Sequence, residues 1–389
     1  MIRTSGVSAV CFTALLIWGV LTLWIEARWA WAVLQTGIFV LAGWRVFTGP
    51  PRPPWATLPL LAAALWPAVQ LVCRTTVYPG GTAVATLDWE VFLLAFVLAD
   101  DLLGDARNRR LFLLAASLLG LAIAAASTIG DYACPGKVFC LVDSGFPSGV
   151  MGPFVNRNQC CAWIELLLPA ALYLAWVEPR FRALFGTAAA IMAGSVVASG
   201  SRAGVALTLG EIPLVILALA IRKAVPMRRL LVGAGQFAAL AALVIAIAGW
   251  QNVWGRWRQA APEDLRKDAL RASVAMVWDR PWTGSGLGTW SRVYPGYAMI
   301  DRGRFMNQAH NDWAQWSAEG GLPFFFFLFF FATLSWKPAF RSIYGIGTVV
   351  FLLHALVDYP MQQRPALAAW FFCMAGLAHA RRHGHSPKT

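Results

Sequence analysis

The sequence predicts an all-α polytopic membrane protein. Of its 389 residues 58% are hydrophobic and 13% charged, the mean hydropathy is +0.58, and apolar windows long enough to cross a bilayer recur along the chain. Soluble domains carry roughly a quarter charged residues, so an ordinary globular class is excluded. The twenty tryptophans fit the same solvent, because the indole ring favours the headgroup level.

A helix needs roughly 20 apolar residues to span a hydrocarbon core about 30 Å thick. Such windows fall at 7–25, 29–47, 55–73, 83–99, 111–129, 159–177, 183–199, 203–221, 230–250, 318–335, 341–357 and 366–380, about twelve transmembrane helices in all. Val7 to Ile25 reads as a retained first span, since no small-residue cleavage site follows a short apolar core. One long connection, 251–317, separates spans nine and ten. Within it Pro262-Glu263-Asp264 is a helix-start signal, proline near the first turn and acids at the positive helix end. Leu265, Ala269, Ala272 and Met276 then recur at helical spacing, which predicts a helix over 263–279 lying on the membrane surface and ending before Pro281. Gly284-Ser285-Gly286-Leu287-Gly288 reads as a flexible turn. It follows no strand and completes no dinucleotide fingerprint, so no nucleotide is assigned to it. No soluble domain, linker or repeated six-span half interrupts the rest. Residues 1–389 read as a single membrane domain in which 251–317 is an active outer loop, unlike a transporter built from two similar halves.

Charge orients the spans. With a cytoplasmic N-terminus, the short loops of the inner face and the termini carry 17 Lys or Arg, including Arg107, Arg109, Arg110, Arg222, Lys223, Arg228 and Arg229. The short outer loops carry six: Arg28, Arg74, Lys137, Arg157, Arg202 and Arg364. Basic residues concentrate on the cytoplasmic side, so both termini are expected inside and 251–317 outside. The net charge of +13 is thereby a matter of topology, and with no basic stripe or aromatic-rich soluble module a nucleic-acid partner is excluded.

Three outer features have complementary chemistry. Ser199-Gly200-Ser201-Arg202-Ala203-Gly204 is a tight turn that sets an arginine at the surface, Arg266 lies on the loop helix, and His310 precedes the tenth span within Asn307-Gln308-Ala309-His310-Asn311-Asp312-Trp313. Guanidiniums offer forked, permanently charged donors to phosphate oxygens, and a histidine accepts a proton near neutral pH. Together they suit transfer from a phosphorylated lipid donor. Taken singly, each has a structural use: His310 among headgroups at a helix cap, Arg202 snorkelling, Arg266 on anionic lipid. Asp312, Glu319 and Asp301 are alternative carboxylate bases near His310 in sequence.

These blocks, in this order, resemble the O-antigen ligase and polysaccharide polymerase superfamily of bacterial inner membranes. The resemblance runs over residues 150–335 through Gly152-Pro153-Phe154-Val155-Asn156-Arg157-Asn158, Ser199-Gly200-Ser201-Arg202 and Arg266. It continues through Asp279-Arg280-Pro281-Trp282-Thr283-Gly284-Ser285-Gly286-Leu287-Gly288, Ala309-His310-Asn311-Asp312-Trp313 and Glu319-Gly320-Gly321-Leu322-Pro323. It implies a GT-C-like glycosyltransferase architecture with a long periplasmic loop between helices 9 and 10. It also implies movement of a glycan from undecaprenyl pyrophosphate to an acceptor hydroxyl, such as that of a lipid A core, with no metal or cofactor. The implied roles are pyrophosphate binding by Arg202 and Arg266 and acceptor activation by His310. The family often has tryptophan four residues after its loop arginine, where Leu270 stands here, and Arg271 is the rival for that role. Asn156, Asn158, Asn311, Asp312 and Glu319 are candidate glycan or acceptor contacts.

Other polar residues have two readings. Glu90, Glu165 and Glu211 lie in or near spans, where an ionisable group is expensive and marks either function or pairing. His354 and Asp358, four apart, read as a structural pair on one helix face. Asn156 and Asn158 contact a glycan or cap the sixth span. Cys134 and Cys140 in outer loop 130–158 form a small disulfide or stay free thiols, while Cys11, Cys73, Cys160, Cys161 and Cys373 read as packing residues. The competing function classes are a polymerase of the same superfamily, a transporter or flippase of lipid-linked glycans, and a membrane scaffold.

Overall fold

A computed structural model describes residues 2–380, apart from 50, 52, 223–226, 250, 252–253, 256–257, 259–262, 301–302, 304 and 363. Pro262 and Asp301 of the readings above, and the charges on Arg52, Lys223, Arg381, Arg382 and Lys388, lie outside the described residues. Among the described residues the chain is almost entirely α-helical, with one short hairpin, and seven helices are long and apolar enough to cross a membrane.

The helices are α1 (Ile2–Leu21), α2 (Trp29–Thr48), α3 (Thr57–Val72), α4 (Pro79–Leu102), α5 (Ala106–Ala133), α6 (Arg157–Val177), α7 (Arg182–Ser199), α8 (Arg202–Ile221), α9 (Met227–Ala248), α10 (Glu263–Asp279), the short α11 (Trp290–Val293), α12 (Asp312–Arg341), α13 (Ile346–His354) and α14 (Arg364–His379). Their ends follow local chemistry. Asp105, Asn156, Ser201 and Asn311 cap α5, α6, α8 and α12 by accepting backbone N–H bonds, as short polar side chains do at the unsatisfied first turn. Gly200 closes α7 in the left-handed conformation, so the Ser199–Arg202 turn ends one helix and starts the next.

The core is a pair of helices with no polar face. Every residue from Gln159 to Ala171 of α6 is buried, as is 365–377 of α14, and Trp163 and Trp370 meet edge to face at 5.9 Å. Such helices belong to the interior of a bundle. Large apolar side chains such as Val40, Phe47, Leu217 and Phe330 point outward instead, the distribution expected where the surrounding solvent is lipid.

Several features depart from the sequence expectations or decide between them. The window 341–357 holds a helix of nine residues, α13, about 14 Å of rise, flanked by turns at 342–345 and 355–357. The window 318–335 is part of a 30-residue helix, α12, broken at Gly321 (φ 70°, ψ −176°). Loop 130–158 holds a two-stranded antiparallel hairpin, β1 (Lys137–Val138) with β2 (Val142–Asp143), closed by a Cys134–Cys140 disulfide. Cys11 and Cys73, expected in packing, are exposed, whereas Cys160, Cys161 and Cys373 are buried.

The described part of the long connection from 263 onward is docked rather than loose. In α10 the predicted face of Leu265, Ala269, Ala272 and Met276 is buried, against Trp290, Tyr294, Ala309 and Ala318. The 284–288 turn, expected to be flexible, is strapped down. Ser285 and Gly286 donate to the carbonyls of Ala318 and Glu319, Val77 donates to Ser285, and Leu287 N–H donates to Gln70 Oε1. The approach is close enough that a Cβ at Gly284 would lie 2.2 Å from the Glu319 carbonyl. That explains glycines on both sides of the contact, here and at the Gly320-Gly321 break.

Candidate active site

The site forms where the N-termini of α6, α8, α10 and α12 meet the turn after α13. His310 is held with φ 54°, a left-handed conformation that a non-glycine residue adopts only when its surroundings impose it. They do so here. Asn311 caps α12 and donates to the Leu356 carbonyl at 2.7 Å, Asp312 N–H donates to the Ala355 carbonyl, and Asp312 Oδ2 accepts from Met361 N–H at 3.0 Å. The run Asn311-Asp312 thus clamps the 355–361 turn beside His310.

The clamp brings up a partner that sequence reasoning had assigned elsewhere. Asp358 Oδ1 lies 3.4 Å from His310 Nδ1, with Asp358 2% exposed and His310 20%. Asp358 also accepts from Tyr359 N–H at 2.9 Å and from the Asn158 side-chain amide. Tyr359 stands edge-on to the imidazole at 4.6 Å between ring centroids, and its hydroxyl accepts from Asn156 Nδ2 at 3.3 Å. Burial pushes the Asp358 carboxyl up, but His310, with the charges of His354 and Arg266, outweighs it and holds the group below the ordinary carboxylate range. Burial and the Asp358 charge together push the Tyr359 phenol up to about 12.

The expected His354–Asp358 side-chain pair is replaced. His354 Nδ1 lies 2.8 Å from Glu165 Oε2, both side chains fully buried, because α13 ends at His354 and Asp358 belongs to the turn beyond it. Glu165 on α6 is thereby a paired intramembrane acid, as a buried ionisable group requires, and Glu211 on α8 is buried near enough for their charges to interact.

The arginines come from three helix N-termini. Arg157, at the start of α6, donates to the Ser199 carbonyl at 3.4 Å. Arg202 begins α8 and lies 3.4 Å from Glu263 at the head of α10. Arg266, one turn further along α10, is half-buried, and its charge reaches Asp358 and Tyr359. The rival Arg271 is engaged elsewhere, bonded to Asp268 Oδ1 at 3.2 Å and to the Tyr297 carbonyl. Burial pushes Asp268 up, yet bonds from Tyr294, Met299, Arg271 and Ile300 outweigh it and hold its carboxyl low, so Asp268 and Arg271 form the brace of the 294–299 turn.

The alternative carboxylates have framing roles. Glu319 Oε1 and Oε2 accept from Trp290 N–H at 2.8 Å and Gly288 N–H at 3.0 Å, and Asp312 holds the 355–361 turn. Asn156 caps α6 and reaches Tyr359, Asn158 reaches Asp358, and Asn311 braces the turn. Sequence reasoning missed Asp358 and Tyr359. The available signal was their polarity immediately after an apolar run.

Residues 187–331 match a family model described as O-antigen ligase (Wzy_C). Over this stretch, a little over a third of the chain, the sequence is similar to the O-antigen ligase family. The match includes Arg202, Arg266 and His310, and ends before Asp358. Proteins of that family are membrane enzymes of glycan transfer, and among the described residues of this chain seven helices are long and apolar enough to cross a membrane, in keeping with a multi-pass membrane protein. No curated protein matches the chain.

Proposed function

We propose that the protein is a membrane glycosyltransferase that moves a glycan from undecaprenyl pyrophosphate to an acceptor hydroxyl at the periplasmic face of the inner membrane. The acceptor is ligase-like, a sugar of a lipid A core, rather than another lipid-linked repeat. In this reading the chain has about twelve spans with both termini cytoplasmic, supported by the 17-to-6 distribution of basic residues. The loop 251–317 then contributes Arg266 and His310 from the outside.

The observation that carries the reading is the His310–Asp358 pair with Arg266 acting on the same carboxylate. A sugar hydroxyl is a poor nucleophile. His310, whose Nδ1 faces Asp358 Oδ1 at 3.4 Å, takes its proton at Nε2 as the acceptor oxygen attacks the anomeric carbon, a role worth about a hundred- to ten-thousandfold in rate. The bond from that carbon to the pyrophosphate oxygen breaks, and the departing lipid pyrophosphate keeps the electron pair. Its charge is met by Arg202 and Arg266, whose forked donors match phosphate oxygens. The proton ends on His310 and leaves to water.

The test is transfer with purified protein, lipid-pyrophosphate glycan and candidate acceptors. Wild type should form a new glycosidic bond, and His310→Ala should lose nearly all of it while eluting as folded protein. Movement of the lipid-linked glycan across a vesicle membrane without any new bond would instead favour a flippase, and wild-type turnover by His310→Ala would remove His310 from the mechanism.

A further inference from the structure

We propose that a cavity beside the His310 segment, walled by different helices from the arginines, is the subsite for the uncharged sugar ring that presents the acceptor hydroxyl. This rests on the glycosyl-transfer reading above and assigns its acceptor side. The cavity holds about 340 Å³ between α2, α4, α12, the strapped 287–291 turn and residues 361–365, within the usual range of roughly 300–1,000 Å³ for small-molecule sites.

Its lining is that of a carbohydrate site. Trp31, Tyr78 and Trp316 stand in its wall beside Asp88, Gln308 and Glu319, the mixture of aromatic rings and polar atoms that a sugar ring with its C–H face and hydroxyls requires. A few oriented polar groups on an aromatic wall are what fix a small polar ligand. Asp88 is itself held, its Oδ1 accepting from Gln35 Nε2 at 2.6 Å, which leaves Oδ2 for a sugar hydroxyl.

Charge separates this cavity from the donor side. Among the described residues its lining includes two carboxylates and no lysine or arginine, and although Arg292 lies over the Tyr78 ring at 5.0 Å, no forked donor in the wall itself meets a phosphate as the donor-side arginines can. Arg157, Arg202 and Arg266 stand on α6, α8 and α10, none of which lines it. The cavity is nevertheless tied to the base. Asn307 and Gln308 line it just before His310. Gln315 donates to Gln308 Oε1, and its own Oε1 accepts from Ala309 N–H at 2.9 Å. One side chain on α12 therefore fixes both the cavity wall and the residue preceding His310.

The probes are glucose, galactose, glucosamine and N-acetylglucosamine, with glucose 1-phosphate as the anionic control, read by saturation-transfer NMR on the full-length protein in detergent. At least one of glucose, galactose and N-acetylglucosamine should receive saturation, glucose 1-phosphate less than glucose. Val84→Trp, which fills the cavity from α4, should cut the signal at least fivefold and raise the KM for acceptor tenfold or more with the KM for donor unchanged. Should Val84→Trp elute as aggregate, Gln308→Ala replaces it, with a loss in the same direction expected. Absence of saturation for every sugar, equal signal in the filled variant, or preference for glucose 1-phosphate overturns the proposal. Sugar binding without any glycosidic product supports the sugar site and removes the transferase reading, whereas wild-type transfer by the filled variant keeps that reading and overturns the acceptor subsite.

Discussion

Asp358→Asn isolates what the carboxylate does for His310. The substitution keeps shape and removes charge. At 3.4 Å, an imidazolium and a carboxylate attract by about 5 kcal/mol at an effective dielectric of 20, an upper bound because part of it offsets the burial of Asp358. That bound corresponds to about 3.5 powers of ten in rate, so a loss in kcat of about a hundred- to a thousandfold is expected. A second effect comes with it. Both carboxylate oxygens accept N–H bonds, Oδ1 from Tyr359 and Oδ2 from Asn158, so an asparagine amide must turn its NH₂ toward a donor, costing about 1–3 kcal/mol of stability. Since the Asp358 carboxyl is held below its ordinary range, its stabilising contribution is fully present above about pH 3.9 and is lost as pH falls through the lowered value. The Tm gap between wild type and Asp358→Asn should therefore close as pH is taken below about 4. Glycan transfer gives kcat, and thermal unfolding gives the stability. A folded Asp358→Asn protein within threefold of wild-type kcat would refute the pairing as a catalytic device.

Other expectations concern the arginines, the helix break and the topology. Arg202→Lys and Arg266→Lys keep charge but lose the planar fork, so donor turnover should fall tenfold or more in each, while Arg271→Lys keeps near-wild-type turnover and lowers Tm through its Asp268 brace; full activity of the first two would sink the clamp. Gly321→Ala should destabilise by about 1–3 kcal/mol, a typical cost of a sparsely populated backbone conformation, because the φ is positive and a Cβ would sit 2.8 Å from the Pro281 carbonyl; an unchanged Tm would show that the break relaxes. Ser291→Cys in a cysteine-depleted background should label from outside intact cells, and labelling only after permeabilisation would invert the orientation.

What was legible in the sequence was whatever a linear pattern encodes. The windows fell on helices because apolar length is a local property, and the α10 face was correct because Leu265, Ala269, Ala272 and Met276 share one side at helical spacing. The blocks carrying Arg202 and His310 were visible as polar runs beside apolar windows, and Arg266 through its place on the loop helix and the family resemblance. What failed was pairing across the chain. Asp358 was matched to His354 by the i, i+4 rule, which presumes a continuous helix, whereas the helix ends at His354 and hands Asp358 to His310 and Asn158. The 284–288 turn looked flexible because glycine permits many conformations. Here it instead permits close contact with α12, and nothing local in the sequence separates the two uses.

The Glu165–His354 pair bears on how the chain is made. The two residues are 189 positions apart, and at synthesis rates of roughly 5–20 residues per second α6 is built about 10–40 s before its partner exists. For that interval the bilayer receives a helix with a lone acid at its middle, which is costly to hold there. The nascent bundle must shelter it, by protonation or in the keeping of an insertion chaperone, until α13 arrives. Chains truncated between α12 and α13 should accordingly be removed by membrane quality control far faster than the full-length protein, and Glu165→Gln should lengthen their lifetime.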